Sequence, residues 1–144
     1  MLLYQIKIVI KPYKTDEFVK STRSFARKIR KEKGCLDCSV YRDSEKENTF
    51  SVIGKWRTRP AMEKHFKTQN FVVLIGAARV LGETFEMNLA EVLETGSFEI
   101  ARKQMASQGK VPALPCGKGR YLFDKRKLVK FLHGVASGDQ CLGG

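Results

Sequence analysis

No stretch of this chain is apolar for anything near the roughly 18 residues that a membrane-spanning helix needs. Its opening, MLLYQIKIVIK, is broken by Gln5 and Lys7 where a secretory signal would hold an unbroken apolar core. Both features place the protein in the cytoplasm, with no membrane partner. Cysteine is scarce: four in 144 residues, at positions 35, 38, 116 and 141, too few and too scattered for a disulfide scaffold. Histidine is scarcer, with two, so few positions can titrate near neutral pH. Acidic residues are also short, 15 Asp and Glu against 27 Lys and Arg, for a net charge of +12. No internal repeat is visible, which argues against solenoids and other arrays.

What is present is the composition of a globular protein, 42% hydrophobic and 29% charged. The basic excess is uneven. Residues 1–94 hold 18 basic and 12 acidic side chains, and residues 95–144 hold 9 and 3. The second segment reaches the same excess in half the length, which makes it the better candidate for meeting a polyanion; a solvated basic surface is the alternative. Cys35 and Cys38 form a C-x-x-C in GCLDCSV. On an extended strand, positions three apart point to opposite faces, so the pair is badly placed to chelate a metal or close a disulfide, and no metal site is expected.

Residues 2–10 alternate, with Leu2, Tyr4, Ile6, Ile8 and Ile10 on one face of a strand that Pro12 ends. Thr15 stands at an N-cap position, followed by Asp16 and Glu17 in a first turn that favours negative charge. Phe18, Thr22, Phe25 and Ile29 make one helical stripe, and the helix runs through a basic last stretch to a stop at Gly34. Strands at about Cys35–Arg42 and Thr49–Arg57 then form a hairpin around DSEKEN. Thr58 and Pro60 open a second helix carrying Met62, His65 and Phe66. Phe71–Leu81 is a further helical segment ended by Gly82, and TFEMNLAEVLE reads as a fourth strand. Strand, helix, strand, strand, helix, strand is the split β-α-β order of a ferredoxin-like α+β fold, an antiparallel sheet with its helices on one face. The uncovered sheet face should take many of the apolar alternates and bury them against a second copy, which predicts a homodimer.

The stretch WRTRPAMEKHFKTQNF, after an apolar strand and before the TFEMNLAEVLE strand, resembles the antibiotic-biosynthesis-monooxygenase family of dimeric α+β barrels over residues 1 to about 94. Trp56 closing the third strand and His65 in the following helix carry the likeness. The resemblance implies a dimer with a small pocket between sheet and helices, taking a small aromatic or quinone-like ligand. It also implies a cofactor-independent monooxygenase as one activity of such a domain. Members that degrade haem use an Asn, a Trp and a His at positions held here by Gln5, His65 and Ile75, which argues against haem chemistry.

Oxygenation without a cofactor needs an ionisable substrate, a base and a dry apolar cavity. His65 is the candidate base, being the one group of suitable pKa in the segment. Asn70 and Gln5 are the candidates to orient a substrate oxygen, and Trp56, Tyr41, Phe66 and Phe71 to line the cavity. No carboxylate partner for His65 is visible in the sequence, so a histidine bonded to backbone or water is the alternative, as plain core packing is for Trp56.

Residues 95–144 read as a separate, basic and partly helical extension. Ser97 would cap a short helix carrying Phe98, Ala101 and Met105 on one side. GKVPALPCGKGRYLFDKRKLVKFLHG is similar to the end of excisionase and MerR-like helix-turn-helix domains. That resemblance implies phosphate contacts from Lys110, Lys118, Arg120, Lys125 and Arg126, with nucleic acid as a partner. Two other functional classes therefore stay open beside the enzyme: a ligand sensor whose extension touches DNA, and a non-catalytic structural or interaction module.

Overall fold

The structure is a computed structural model that describes residues 1–106. The five basic positions of the nucleic-acid reading, Lys110 to Arg126, lie outside the described residues, as do Cys116 and Cys141. Two units divide the chain, Met1–Ser97 and Phe98–Gly144.

The first unit begins with β1, Leu2–Ile10, in which Tyr4, Ile6, Ile8 and Ile10 are fully buried while the residues between them are half-buried. Strict alternation thus commits one face of the strand to the core. A 3-10 turn at Pro12–Lys14 precedes α1, Thr15–Ile29, so the expected N-cap moves from Thr15 to Lys14, which makes no side-chain cap. Thr15 instead donates its hydroxyl toward Asn48 Oδ1 at 2.9 Å. The stripe Phe18, Thr22, Phe25, Ala26 and Ile29 is buried as its spacing requires.

The helix ends sooner than Gly34. The chain turns at residues 30–34, where Gly34 adopts a φ of 89°, a left-handed conformation that glycine takes without a Cβ penalty. β2, Cys35–Arg42, and β3, Thr49–Trp56, pair as the expected hairpin. Thr58 and Thr68 accept from backbone N–H groups at the starts of α2, Arg59–His65, and α3, Gln69–Leu81. β4, Gly82–Glu91, completes a sheet of order β2-β3-β1-β4, antiparallel throughout. This is the ferredoxin-like α+β fold.

Two expectations about faces are corrected. The strongest apolar alternates of β1 and β3 all lie beneath the helices, because Tyr4, Ile6 and Ile8 stand opposite Gly54, Val52 and Phe50 in register. The uncovered face is mixed, with Leu3, Val9 and Ile53 among Gln5, Lys7, Ser51 and Lys55. Second, Cys35 and Cys38 share a face. The register shifts between Cys35 and Asp37, so Cys35 opposes Trp56 and Cys38 opposes Gly54, two residues apart on β3. One extra residue in a strand inverts the parity that spacing alone predicts.

Of the second unit the described part is α4, Phe98–Ala106, with Glu99 and Arg102 paired at 3.6 Å. Among the described residues no helix is long and apolar enough to cross a membrane.

Candidate functional site

His65 sits on the last turn of α2 with 1% of its surface exposed. Its imidazole is enclosed by rings. Trp56 stacks on it at a centroid distance of 4.6 Å, Tyr4 lies nearly parallel at 5.6 Å, and Phe71 meets it edge-on at 5.1 Å. Phe66 closes the box, 4.8 Å from Phe71. Such contacts carry both apolar burial and the preferred ring geometries.

Both nitrogens of the imidazole are engaged. Nδ1 lies 2.8 Å from Glu32 Oε2, and Nε2 lies 3.2 Å from the Tyr4 hydroxyl. A carboxylate can only accept, so Nδ1 carries the proton and donates it to Glu32. Nε2 then holds the lone pair and accepts from the Tyr4 O–H. Glu32 is in turn held by the Asn70 amide, which donates to Oε1 at 2.7 Å, with the Thr68 hydroxyl at 3.3 Å. The result is a buried chain of carboxylate, imidazole and phenol in which the acid fixes the tautomer of the base.

Local structure explains each placement. Tyr4 belongs to the buried parity of β1, and its strand partner is Gly54. A Cβ at Gly54 would collide with the tyrosine ring, so glycine leaves the room the ring needs to lie over β3. Glu32 comes from the turn after α1, where the chain doubles back toward β2. The Gly34 carbonyl accepts from Arg57 N–H at 2.9 Å, which ties that turn to the strand end carrying Trp56. Thr68 caps α3 and so sets Asn70 in its first turn.

Electrostatics follow from burial. His65 titrates below the ordinary histidine value because burial disfavours the imidazolium, with Glu32 pulling the other way. Burial, and then the neighbouring Cys38, hold the Tyr4 phenol above the ordinary tyrosine range, so it stays protonated. Cys35 and Cys38 are each pushed up to about 11, chiefly by burial, and so remain thiols at neutral pH. Among the described residues no group of three or more His, Cys, Asp or Glu is set to hold a metal ion.

Of the residues singled out in the sequence, the structure brings together His65, Trp56, Phe66, Phe71 and Asn70. Asn70 acts one step removed, through Glu32. Gln5 and Tyr41 are elsewhere: each alternates with a core-facing neighbour, Tyr4 and Val40, and stands on the uncovered side of the sheet. Strand parity therefore sets both apart from His65. Sequence reasoning passed over Glu32, Tyr4 and Thr68. Glu32 is hidden in the basic run RKIRKEK, yet an acid interrupting such a run is a signal in itself. Trp56 adds a further feature, since its buried indole N–H has no partner among the described residues.

Comparison with known proteins agrees with this architecture. The family model for antibiotic biosynthesis monooxygenases matches residues 1–75. A Synechocystis protein of uncharacterised function, sll1783, is 32% identical over 89 residues, 61% of this chain and 60% of that protein. YcnE of Bacillus subtilis, provisionally named a monooxygenase, is 30% identical over 81 residues, 56% of this chain and 85% of that one. Among solved structures, an antibiotic biosynthesis monooxygenase superposes with a TM-score of 0.60 at 24% identity, covering 65% of this chain and all of the other. A Deinococcus radiodurans protein provisionally assigned to the same group superposes at 0.63 with 19% identity, covering 67% and 97%.

Proposed function

Because the chain belongs to the antibiotic biosynthesis monooxygenase family, we propose that its first unit binds a small aromatic or quinone-like molecule and oxygenates it without a cofactor, as a homodimer. The observation that carries this reading is the Glu32–His65–Tyr4 chain inside an aromatic box. It supplies an oriented base in dry surroundings, and a base so placed is worth about 10²–10⁴ in rate.

In this mechanism His65 Nε2 takes the proton from an acidic O–H or C–H of the substrate, and Glu32 stabilises the imidazolium that forms. The resulting anion delivers electrons to molecular oxygen and a C–O bond forms. Loss of water then breaks the O–O bond and leaves a carbonyl at the carbon attacked, which is a CH₂ in the keto tautomer of a phenolic substrate. One oxygen atom ends in the product and the other in water. The substrate supplies all four electrons, so no external reductant is consumed. Tyr4 donates its hydroxyl to the substrate oxygen or to the oxygen species, and the unpaired Trp56 indole N–H is a second donor.

The box is filled by its own rings in this conformation. Phe66 and Phe71 are only partly buried, and a substrate ring enters by displacing one of them. On the same reading a second copy covers the uncovered sheet face, and the compartment is the cytoplasm, where the free Cys35 and Cys38 stay reduced.

The test is oxygen uptake and product analysis over a panel of quinols and polycyclic phenols, with light scattering for the mass in solution. His65→Ala and the better-filling His65→Gln should each lose at least about a hundredfold in turnover while keeping that mass. Unchanged turnover in a folded variant removes His65 from the mechanism. The filled box favours one second reading, a non-catalytic interaction module. Absence of turnover across the panel, with no ligand displacing Phe71, would support it.

A further inference from the structure

Arg23 and Arg27 lie on α1 and Arg30 caps its C-terminal end in helical conformation, at spacings of four and three that set the three on one side. They surround an open hollow of about 340 Å³ between that helix and the edge strand β2, completed by Thr22, Ala26 and Val40. The walls and the floor differ in chemistry. Ala26 is buried and Val40 packs against the core, while the Thr22 hydroxyl is committed to the Val19 carbonyl at 2.9 Å and leaves only its methyl group.

Among the described residues only one of the three cations has an acidic partner. Arg30 is anchored, its Nε donating to the Cys38 carbonyl at 2.8 Å with Asp37 Oδ1 at 3.7 Å. Arg23 and Arg27 have no ion pair among the described residues. Neighbouring Lys20 and Lys28 carry the same sign. Guanidinium groups that share one concavity repel each other, and a bound anion relieves that repulsion while accepting forked hydrogen bonds. A size of a few hundred Å³ suits a small molecule rather than a chain segment.

We infer that this hollow is a binding site for a small organic anion, a carboxylate or phosphate borne on an apolar body. Arg23 and Arg27 take the charged group, Arg30 closes on it from the β2 side, and Ala26, Val40 and the Thr22 methyl receive the apolar part. None of these residues belongs to the aromatic box around His65. The inference is therefore independent of the oxygenase reading, and either stands if the other falls.

Calorimetric titration of the full chain with benzoate and phenyl phosphate tests it, with benzamide as the uncharged isostere and inorganic phosphate as the bare ion. Saturable binding of one aromatic anion per chain is expected, weakened by salt. Benzamide should bind at least about tenfold more weakly, as should inorganic phosphate compared with phenyl phosphate. The exposed pair Arg23→Ala and Arg27→Ala, combined, should weaken the aromatic anion by about tenfold or more with an unchanged circular dichroism spectrum. His65→Gln should leave this binding intact. No saturable binding of either aromatic anion at millimolar concentration overturns the inference. So do equal affinities for benzoate and benzamide, or a double variant that binds as the parent does. Inorganic phosphate binding as tightly as phenyl phosphate overturns the apolar half of the site.

Discussion

Replacing Glu32 by Gln is the perturbation that most directly probes the buried chain, because it keeps the shape and removes only the charge. Oε1 of the glutamine can still accept from Asn70, as the carboxylate does at 2.7 Å. The amide nitrogen then faces His65 Nδ1, where Glu32 Oε2 sat at 2.8 Å. An amide N–H₂ is a donor only, so His65 must give up its Nδ1 proton and carry it on Nε2. Nε2 in turn faces the Tyr4 hydroxyl, which changes from donor to acceptor. The variant keeps its hydrogen bonds, reverses their direction, and loses the lone pair with which His65 acts as a base.

Magnitudes follow from the same contacts. A hydrogen bond to a charged group is worth roughly 1.5–3 kcal/mol and a neutral one roughly 0.5–1.5, so exchanging one for the other costs about 1–2 kcal/mol. That corresponds to a fall in Tm of roughly 5–10 °C for a domain of this size. Glu32→Ala should cost more, about 2–5 kcal/mol, because the Asn70 amide and the imidazole N–H lose their partner inside the protein. The assay for Glu32→Gln is ¹⁵N NMR of the imidazole, in which protonated and unprotonated nitrogens resonate far apart. The chain has two histidines, so the assignment is short. An unchanged His65 tautomer, together with a Tm equal to the parent's, refutes the chain.

Gly54→Ala should disrupt the same site from below. The added Cβ strikes the Tyr4 ring, and overpacking of this kind costs about 1–3 kcal/mol; loss of the Tyr4–His65 contact in the variant's NMR spectra checks it, and a parent-like Tm and spectrum would count against the described packing. Stability should also depend on pH through His65. Its folded value is depressed while the unfolded chain titrates near the ordinary 6.5, so the unfolded state binds more protons below that point. Stability should be full above about pH 6.5 and fall as the pH drops below it, with a slope of at most about 1.4 kcal/mol per pH unit from this group. Urea unfolding between roughly pH 7 and 5 reads the slope, and His65→Gln should remove that contribution; an identical slope in parent and variant would refute it.

The fold was legible because its signals are local. Alternation in LLYQIKIVI, the stripe from Phe18 to Ile29 and the helix start at Thr58 and Pro60 each act within one element, and the structure keeps them. The site was half legible for the opposite reason. His65, Trp56 and Phe71 lie within one stretch of chain, but Glu32 reaches His65 across 33 residues and Tyr4 across 61. Nothing in local periodicity announces such a pair. Parity decided the rest: Gln5 is one residue from Tyr4 and for that reason faces away. The bulge at Cys35–Asp37 could not be read at all, since nothing in GCLDCSV marks the extra residue.

A box that is both core and site sets a thermodynamic condition on its ligand. Admitting a molecule to His65 means moving Phe66 or Phe71 out of contact, and exposing a large apolar side chain costs on the order of 1.5–3 kcal/mol. A small polar substrate cannot offset that loss, because it would also leave a hole against Tyr4 and His65. A flat ring of similar size can, since it restores the tilted and edge-on contacts with Tyr4 and His65 that the displaced phenylalanine gave up. One acidic O–H or C–H on that ring then meets Nε2 where the Tyr4 hydroxyl now sits. On the proposed reading the preference for an aromatic, ionisable substrate thus comes from the energetics of opening the core, and it should weaken when Phe71→Ala removes the ring that has to be displaced.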